Sequence, residues 1–490
     1  MSLINVQNLT FAYEGSFNYV FENVGFQIDT DWKLGFVGRN GKGKTTFLKL
    51  LLGEYEYSGK ISADVEFTYF PFSVKEGDQS VSEVLREICP YAEDWEIIRE
   101  FSYLQMRADV LYEPFGILSS GEKTKALLAG LFLKDNSFLL IDEPTNHLDI
   151  NARECVAEYL ESKKGYILVS HDRRFLDLCV DHILSVNKTD IEVTGGNFSV
   201  WFDNFCKRQA FETAQNRKLQ KDIDRLSLSA SCTADWAGKT EASKFGCGPV
   251  DRGFIGHKAA KVMKRAKAAE NRQRRAAEQK SLLLRNAETA EDLKINPLRH
   301  HSQRLIDCCA ANIYYGQKKV CGPISFQLEQ GDRLALYGSN GCGKSSLLKI
   351  LTGEQIAYEG RITLASGMKV SYLPQTSEGL HGNISQYVKD KAIDIDTFRT
   401  VLSKMGFGRY DFADGTDLSA LSQGQKKKIM IAASLCERAH LYVWDEPLNY
   451  LDIYSRIQVE NLIMQFKPTM IFVEHDRAFA EKVATGALNF

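Results

Sequence analysis

Short unbroken apolar runs punctuate both ends of this chain, each followed by residues that suit a turn. The first part holds Leu34-Gly35-Phe36-Val37, Phe138-Leu139-Leu140-Ile141 and Ile167-Leu168-Val169. The last part holds Leu334-Ala335-Leu336-Tyr337, Leu441-Tyr442-Val443-Trp444 and Ile471-Phe472-Val473. Such runs read as strands buried on both faces, and helical stretches alternate with them, the pattern of an α/β fold with a mainly parallel sheet wrapped by helices. The middle has a different texture. Residues 205–229 and 258–287 are rich in Lys, Arg, Ala, Gln, Glu and Leu and lack Pro and Gly, so both are predicted as helices. Between them lie Gly238, Gly246, Gly248, Pro249, Gly253 and Gly256, a turn region. The expected organisation is a domain over 1–204, a helical hairpin over 205–302 with its tip at about 230–257, and a second domain over 303–490.

Charge sharpens this picture. The 490 residues carry a net charge of only −2, yet Phe205–His300 holds 21 Lys/Arg against 11 Asp/Glu. A basic block between two acidic flanks suggests a polyanionic partner. No run approaches the ~20 apolar residues that cross a bilayer. The opening Met1-Ser2-Leu3-Ile4-Asn5 has no basic segment ahead of an apolar core, so no secretory leader is expected. Eleven scattered cysteines without framework spacing read as reduced thiols, and the expected location is the cytoplasm.

The chain also repeats itself. Gly38-Arg39-Asn40-Gly41-Lys42-Gly43-Lys44-Thr45 and Gly338-Ser339-Asn340-Gly341-Cys342-Gly343-Lys344-Ser345 both fit the phosphate-loop pattern. Leu118-Ser119-Ser120-Gly121-Glu122 returns as Leu421-Ser422-Gln423-Gly424-Gln425, Asp142-Glu143-Pro144 as Asp445-Glu446-Pro447, and Ser170-His171-Asp172-Arg173 as Glu474-His475-Asp476-Arg477. Four motifs in one order at a nearly constant offset mean two homologous domains. In each, glycines turn backbone N–H groups toward phosphates at a helix N-terminus, so Gly38, Asn40, Gly41, Gly43, Gly338, Asn340, Gly341 and Gly343 are candidate nucleotide contacts. Lys44 and Lys344 reach the outer phosphates, Thr45 and Ser345 ligate Mg²⁺, and Thr46 and Ser346 follow them. Asp142 and Asp445 end apolar strands and hold the same Mg²⁺; Glu143 and Glu446 are the candidate bases for an attacking water. A serine and glycine ahead of a helix, Ser119 with Gly121 and Ser422 with Gly424, offer a hydroxyl, N–H groups and a positive dipole end to a phosphate. That reading is preferred to two plain helix caps.

With these residues in hand, the chain resembles the ATP-binding-cassette superfamily, with Leu118–Glu122 and Leu421–Gln425 as signature loops. The resemblance implies a head-to-tail sandwich, each cassette supplying its signature loop to the other's ATP. It also implies that His171 and His475 sense the terminal phosphate, that Leu148-Asp149 and Leu451-Asp452 are D-loops, and that Tyr13 stacks on adenine. The counterpart of Tyr13 is Tyr314 or Tyr315, with Tyr315 taken forward. Gln375 of Tyr372-Leu373-Pro374-Gln375 matches the Q-loop and adds to the Mg²⁺ set. Two departures stand out. Phe72 of Tyr69-Phe70-Pro71-Phe72 replaces that glutamine in the first cassette, and Pro447-Leu448-Asn449-Tyr450 stands where the first has Pro144-Thr145-Asn146-His147. Both sites are expected to hydrolyse ATP, at different rates.

Two fused cassettes around a basic hairpin, with Gly195-Gly196-Asn197-Phe198-Ser199 ahead of it, resemble the ABC-F translation factors over nearly the whole chain. The long linker, the similar spacing from Lys44 to Ser119 and from Lys344 to Ser422, and the short segment after His475 point within it to the ribosome-protection branch. Gly253-Phe254-Ile255-Gly256-His257-Lys258 looks most like the Lsa type. That resemblance implies a monomer that enters the ribosomal E site when ATP closes the sandwich, touches large-subunit RNA and peptidyl-tRNA, and frees the peptidyl-transferase centre of lincosamides, pleuromutilins and streptogramin A. Lys258, Lys261, Lys264, Arg265, Lys267, Arg272, Arg274 and Arg275 are the expected RNA-phosphate contacts. The tip residues Trp236, Lys244, Phe245 and Phe254 admit two readings, stacking on bases or tRNA and, for the aromatics, a small hydrophobic clasp. A housekeeping ABC-F factor and a twin ATPase serving a separate permease are the competing readings.

Overall fold

In the computed structural model every apolar run named above lies in a strand. The described residues are 2–15, 19–72, 74, 79–134, 136–146, 148–187, 190–242, 264, 267, 268, 271, 272, 275, 293–316, 318–377, 380–407 and 417–490. Contacts divide them into two units, one of residues 1–201 with 290–490 and one of residues 202–289.

The first unit contains both cassettes. The first begins with β1 (Leu3–Phe11), β2 (Phe21–Asp29) and β3 (Lys33–Val37), the phosphate-loop helix α1 (Lys44–Leu51), β4 (Ser58–Ser62) and β5 (Glu66–Phe70). Helices α2 (Val81–Ile88), α3 (Asp94–Tyr103) and α4 (Ser120–Phe132) follow. Then come β6 (Ser137–Asp142), α5 (Ile150–Ser162), β7 (Tyr166–Val169), α6 (Arg173–Cys179), β8 (His182–Asn187) and β9 (Asp190–Gly195). The main sheet runs β5-β6-β7-β3-β8-β9 and is parallel except at β8–β9; a small antiparallel sheet runs β2-β1-β4. Because β6, β7 and β3 are central, Phe138, Leu140, Ile167, Val169, Leu34 and Phe36 are sealed in one core with Phe47 and Leu48 of α1. Their carboxyl ends then deliver Asp142, His171 and the phosphate loop to one edge, where open α/β sheets bind ligands.

The second cassette repeats the plan. After α7 (Phe198–Ala242) come β10 (Arg304–Tyr315), β11 (Lys318–Glu329), β12 (Arg333–Tyr337), α8 (Lys344–Leu351), β13 (Tyr358–Leu364) and β14 (Val370–Leu373). They are followed by α9 (Ile384–Asp390), α10 (Ile395–Lys404), α11 (Gln423–Cys436), β15 (Leu441–Asp445), α12 (Ile453–Phe466), β16 (Met470–Val473), α13 (Arg477–Val483) and β17 (Gly486–Asn489). Its sheet, β14-β15-β16-β12-β17, is parallel throughout.

The linker boundaries differ from the expected ones. Helix α7 starts at Phe198, whose ring is buried beside Trp201, rather than at 205. It continues to Ala242, through the segment expected to open the tip. A lone Gly costs a helix about 1 kcal/mol, which the helix formers around Gly238 (Ala234, Ala237, Lys239, Glu241 and Ala242) outweigh. At the far side Leu293 and Ile295 are buried in the second cassette's core, so the hairpin ends before 302. In the second unit, Lys264, Lys267, Arg272 and Arg275 are helical and exposed, and the Arg272 Nε donates to Ala268 O at 3.3 Å. Lys258, Lys261, Arg265 and Arg274 lie outside the described residues, as do Lys244, Phe245 and Phe254, and Trp236 is described only as part of α7.

Candidate functional site: two nucleotide-binding edges

Gly43 and Gly343 cap α1 and α8 with left-handed backbones, φ +89° and +99°. A Cβ on Gly43 would fall 2.5 Å from Val20 Cγ1, and one on Gly343 would fall 2.6 Å from Cys321 Sγ, so neither conformation nor space admits another residue. The buried Lys44 Nζ donates to Gly38 O at 2.8 Å, with Arg39 O and Asn40 Oδ1 each at 3.3 Å. Lys344 Nζ donates to Gly338 O and Ser339 O, both at 2.8 Å. Each loop thus wraps a cation at a helix N-terminus, a cradle suited to phosphate. Burial lowers the Lys44 pKa, against the pull of Asp452, Glu143 and Asp142.

Next to each loop stand the carboxylates. Thr45 Oγ1 and Tyr69 Oη both donate to Asp142 Oδ2 at 3.0 Å. Burial raises the pKa of Asp142 and of Asp445, and the Ser345 hydroxyl opposes that shift at Asp445. Asp445 Oδ1 is buried without a hydrogen-bond partner, an oxygen left to meet a cation. Glu143 and Glu446 both sit at positive φ, +51° and +47°, with their N–H groups held by Val169 O at 2.9 Å and Val473 O at 3.0 Å. A left-handed glutamate costs about 1–2 kcal/mol. Finding that strain at the same step of both cassettes marks the turn as one that aims the side chain. His171 Nε2 lies 3.4 Å from Glu143 Oε1, and His475 Nε2 lies 3.5 Å from Glu446 Oε1.

The two glutamates nevertheless differ. Burial and then the neighbouring Asp142 push the Glu143 carboxyl up to about 8. Burial presses on Glu446 too, but His475 and the Gln375 amide hold it below the ordinary carboxylate range. Asn449 Nδ2 donates to Glu446 Oε2 at 2.5 Å and fixes its rotamer. His171 is driven well below its usual pKa by burial and by Lys44, so it is neutral.

Across the cassettes the loops meet head to tail. A cavity of about 910 Å³ is lined by Tyr315, Asn340, Gly341, Gly343, Lys344, Ser345, Ser346, Gln375, Glu446 and His475 from the second cassette. Ser119, Gly121, Leu148 and Asp149 of the first cassette form its other wall. At the opposite edge the loops touch directly. Asn40 Nδ2 donates to Tyr450 O at 2.8 Å and Asn40 N to Asp452 Oδ2 at 3.4 Å, while within its own cassette Asn40 Oδ1 pairs with His171 Nε2 at 3.1 Å. A Cβ on Gly424 would fall 2.9 Å from Asn40 Nδ2. Tyr13 Oη pairs with Thr46 Oγ1 at 2.6 Å, and Ser346 Oγ donates to Tyr315 Oη at 3.3 Å. Tyr315 therefore occupies the place of Tyr13, while Tyr314 is turned to Glu359.

Ser119 and Ser422 also correct an expectation: both are helix caps, with reciprocal capping boxes to Glu122 and Gln425. Capping and facing the other cassette are compatible, because a cap residue sits where the free N–H groups of the helix point outward.

Sequence reasoning missed the charges between the cassettes. In each copy an arginine of the D-loop helix grips the aspartate after the histidine: Arg153 to Asp172 at 3.0 Å, Arg456 to Asp476 at 3.3 Å. The next arginine crosses over, Arg173 to Glu460 at 2.9 Å and Arg477 to Glu154 at 2.7 Å. The repeated His-Asp-Arg was the available signal; its partners on α5 and α12 fit no spacing rule.

A family model described as ABC transporter matches residues 21–146 and 321–449. The ribosome protection protein VmlR of Bacillus subtilis is 26% identical over 97% of this chain and 85% of its own length. The energy-dependent translational throttle protein EttA of Escherichia coli K12 is 25% identical over 96% of this chain and 89% of its own. Among solved structures, an archaeal ribosome recycling factor, aABCE1, in complex with the ribosomal stalk protein aP1 superposes with a TM-score of 0.62 at 19% identity, covering 98% of this chain and 87% of that one.

Proposed function

Since the chain belongs to the ATP-binding-cassette family, in its ABC-F branch, and is an ATP hydrolase, we propose that ATP clamps its cassettes and that the clamped protein binds the bacterial ribosome. The observation that carries this reading is the cavity whose one wall is the second phosphate loop and whose other wall is the first cassette's signature loop. A nucleotide there touches both cassettes, so its binding favours the closed arrangement by differential contacts. In each site the lysine and loop N–H groups bind the phosphates, and the glutamate holds and takes the proton of the attacking water. The histidine, neutral at His171, orients that glutamate. Thr45 with Asp142, and Ser345, Asp445 and Gln375, form oxygen sets that fit Mg²⁺, which would neutralise developing phosphate charge. Tyr13 and Tyr315 would stack on the adenines.

The basic second unit supports RNA as the partner. Lys264, Lys267, Arg272 and Arg275 are exposed on helical backbone, suited to phosphates rather than to reading sequence. We propose the E site of the ribosome, contact with large-subunit RNA and peptidyl-tRNA, a cytoplasmic monomer, and drug displacement as in a protection protein. No described helix is long and apolar enough to cross a membrane. The experiment is co-sedimentation of the Glu143→Gln/Glu446→Gln protein with ribosomes. ATP-dependent pelleting is expected, falling steeply with salt, and a protein that stays in the supernatant overturns the proposal. Drug susceptibility with and without the gene then separates protection from a housekeeping role such as the throttle that EttA's name describes.

A further inference from the structure

One buried cation has no place in the chemistry above. Lys427, on the second turn of α11, is 3% exposed. Its ammonium is spent on backbone oxygens: Pro374 O at 3.1 Å, Gln375 O at 3.3 Å and Asp445 O at 3.3 Å. Burying an ammonium is costly unless its donors are satisfied. Here three carbonyls from two separate segments converge on it, so the Q-loop and the end of β15 are fastened to α11 at one point.

Those segments carry Gln375 and Glu446, which line the cavity of the second site. Helix α11 begins beside the first site. Its Gly424 lies against Tyr450 O and Asn40, that is, against the phosphate loop of the first site. From Gly424 to Lys427 is less than one turn, too short a stretch of helix to flex. A shift of the Q-loop at one site therefore displaces the signature loop at the other. Among the described residues the first cassette has no such fastening. The matching residue is Thr124, whose hydroxyl donates to Ser120 O of its own helix at 3.0 Å, and the matching Q-loop position is Phe72.

We propose that Lys427 is a positioning residue that couples the two ATP sites, tying the Q-loop of the second site to the signature loop that serves the first. This rests on the assignment of Glu143 and Glu446 as the water-activating groups of separate sites. The test is steady-state ATP turnover of the full chain carrying Lys427→Met, Lys427→Arg or Thr124→Val, each in wild-type, Glu143→Gln and Glu446→Gln backgrounds. With Glu143→Gln, which leaves the second site active, Lys427→Met is expected to lower kcat about tenfold with KM within about twofold. With Glu446→Gln it is expected to lower the first site's kcat about threefold, although Lys427 does not touch that site. Lys427→Arg, whose guanidinium also donates to carbonyls, restores most of both losses, and Thr124→Val leaves both rates in place. An unchanged first-site rate overturns the coupling. A rise in KM at constant kcat, or a loss that Lys427→Arg does not rescue, overturns the positioning role. Failure of the underlying assignment looks different: Glu143→Gln and Glu446→Gln would each leave turnover at the wild-type level before Lys427 is altered.

Discussion

The two nucleotide edges share a frame and differ in chemistry. The frame is what each cassette keeps: the glycine-capped helix with its wrapped lysine, the left-handed glutamate, and the arginine that ties the D-loop helix to the aspartate after the histidine. What changes is the set of groups around the two glutamates. At the first site Phe72 replaces an amide, Tyr69 takes up Asp142, and Glu143 is buried and raised to about 8. At the second site Gln375 and His475 hold Glu446 low and Asn449 fixes it. Duplication thus preserved the parts that align two halves and released those that set a rate. The comparison breaks or stands on single variants. A positioned base contributes about 10²–10⁴-fold, so removing the better-prepared one costs more. Glu446→Gln is expected to lower total ATP turnover at least about tenfold and Glu143→Gln only about two- to threefold, read as phosphate release at saturating ATP. Equal losses would mean that the carboxylates are equivalent once nucleotide is bound.

Most of the frame was legible because its parts are local. The glycine loops, the Asp-Glu pairs and the histidines each occupy a few consecutive residues after an apolar run, and their twofold recurrence fixed the domain plan. Sequence alone does not separate Tyr315 from Tyr314, because neighbouring strand residues face opposite ways and only the contact with Ser346 distinguishes them. Helix α7 runs past the expected start of the tip for a physical reason: Gly238, the first of the six Gly and Pro positions of the turn region, stands among residues that favour helix. Lys427, the Arg173–Glu460 and Arg477–Glu154 pairs and the orientation of Asn40 were not legible at all. They join segments far apart in sequence, and a lysine in a Lys-Lys-Lys run reads as solvated until its burial is known.

The two crossing arginines give a second contrast, smaller in effect. Glu460 is sealed, its side chain 2% exposed, and takes both Arg173 and Lys482. Glu154 is open, 37% exposed, and has Arg174 nearby at 3.4 Å as well as Arg477. Breaking a buried pair costs about 3–5 kcal/mol, and the remaining Lys482 reduces this to about 2 kcal/mol. A surface pair is worth about 0–1 kcal/mol. Arg173→Ala is expected to lower the calorimetric Tm by several degrees and Arg477→Ala by about one degree or less. Similar drops would show that the pseudo-symmetric position, and not burial, sets the strength of the joint.

The smallest expected effect concerns Glu474, which stands where the first cassette has Ser170. Ser170 Oγ pairs with Thr145 Oγ1 at 3.3 Å; Glu474 Oε1 instead accepts from Leu448 N at 2.6 Å. Burial raises the pKa of Glu474, and the Leu448 N–H and Arg456 only partly offset it. A carboxyl raised on folding binds its proton more tightly in the native state, so ionising it costs stability. That cost is absent below the unfolded value of about 4.3, grows as pH rises, and levels off above the raised native value. Glu474→Gln keeps an oxygen for Leu448 and removes the charge. Its Tm is therefore expected to match the wild type near pH 4 and to exceed it by about one or two degrees at pH 8. A difference that is constant across that range would mean the penalty is steric, and one of opposite sign would mean that Arg456 gains more from the charge than burial costs.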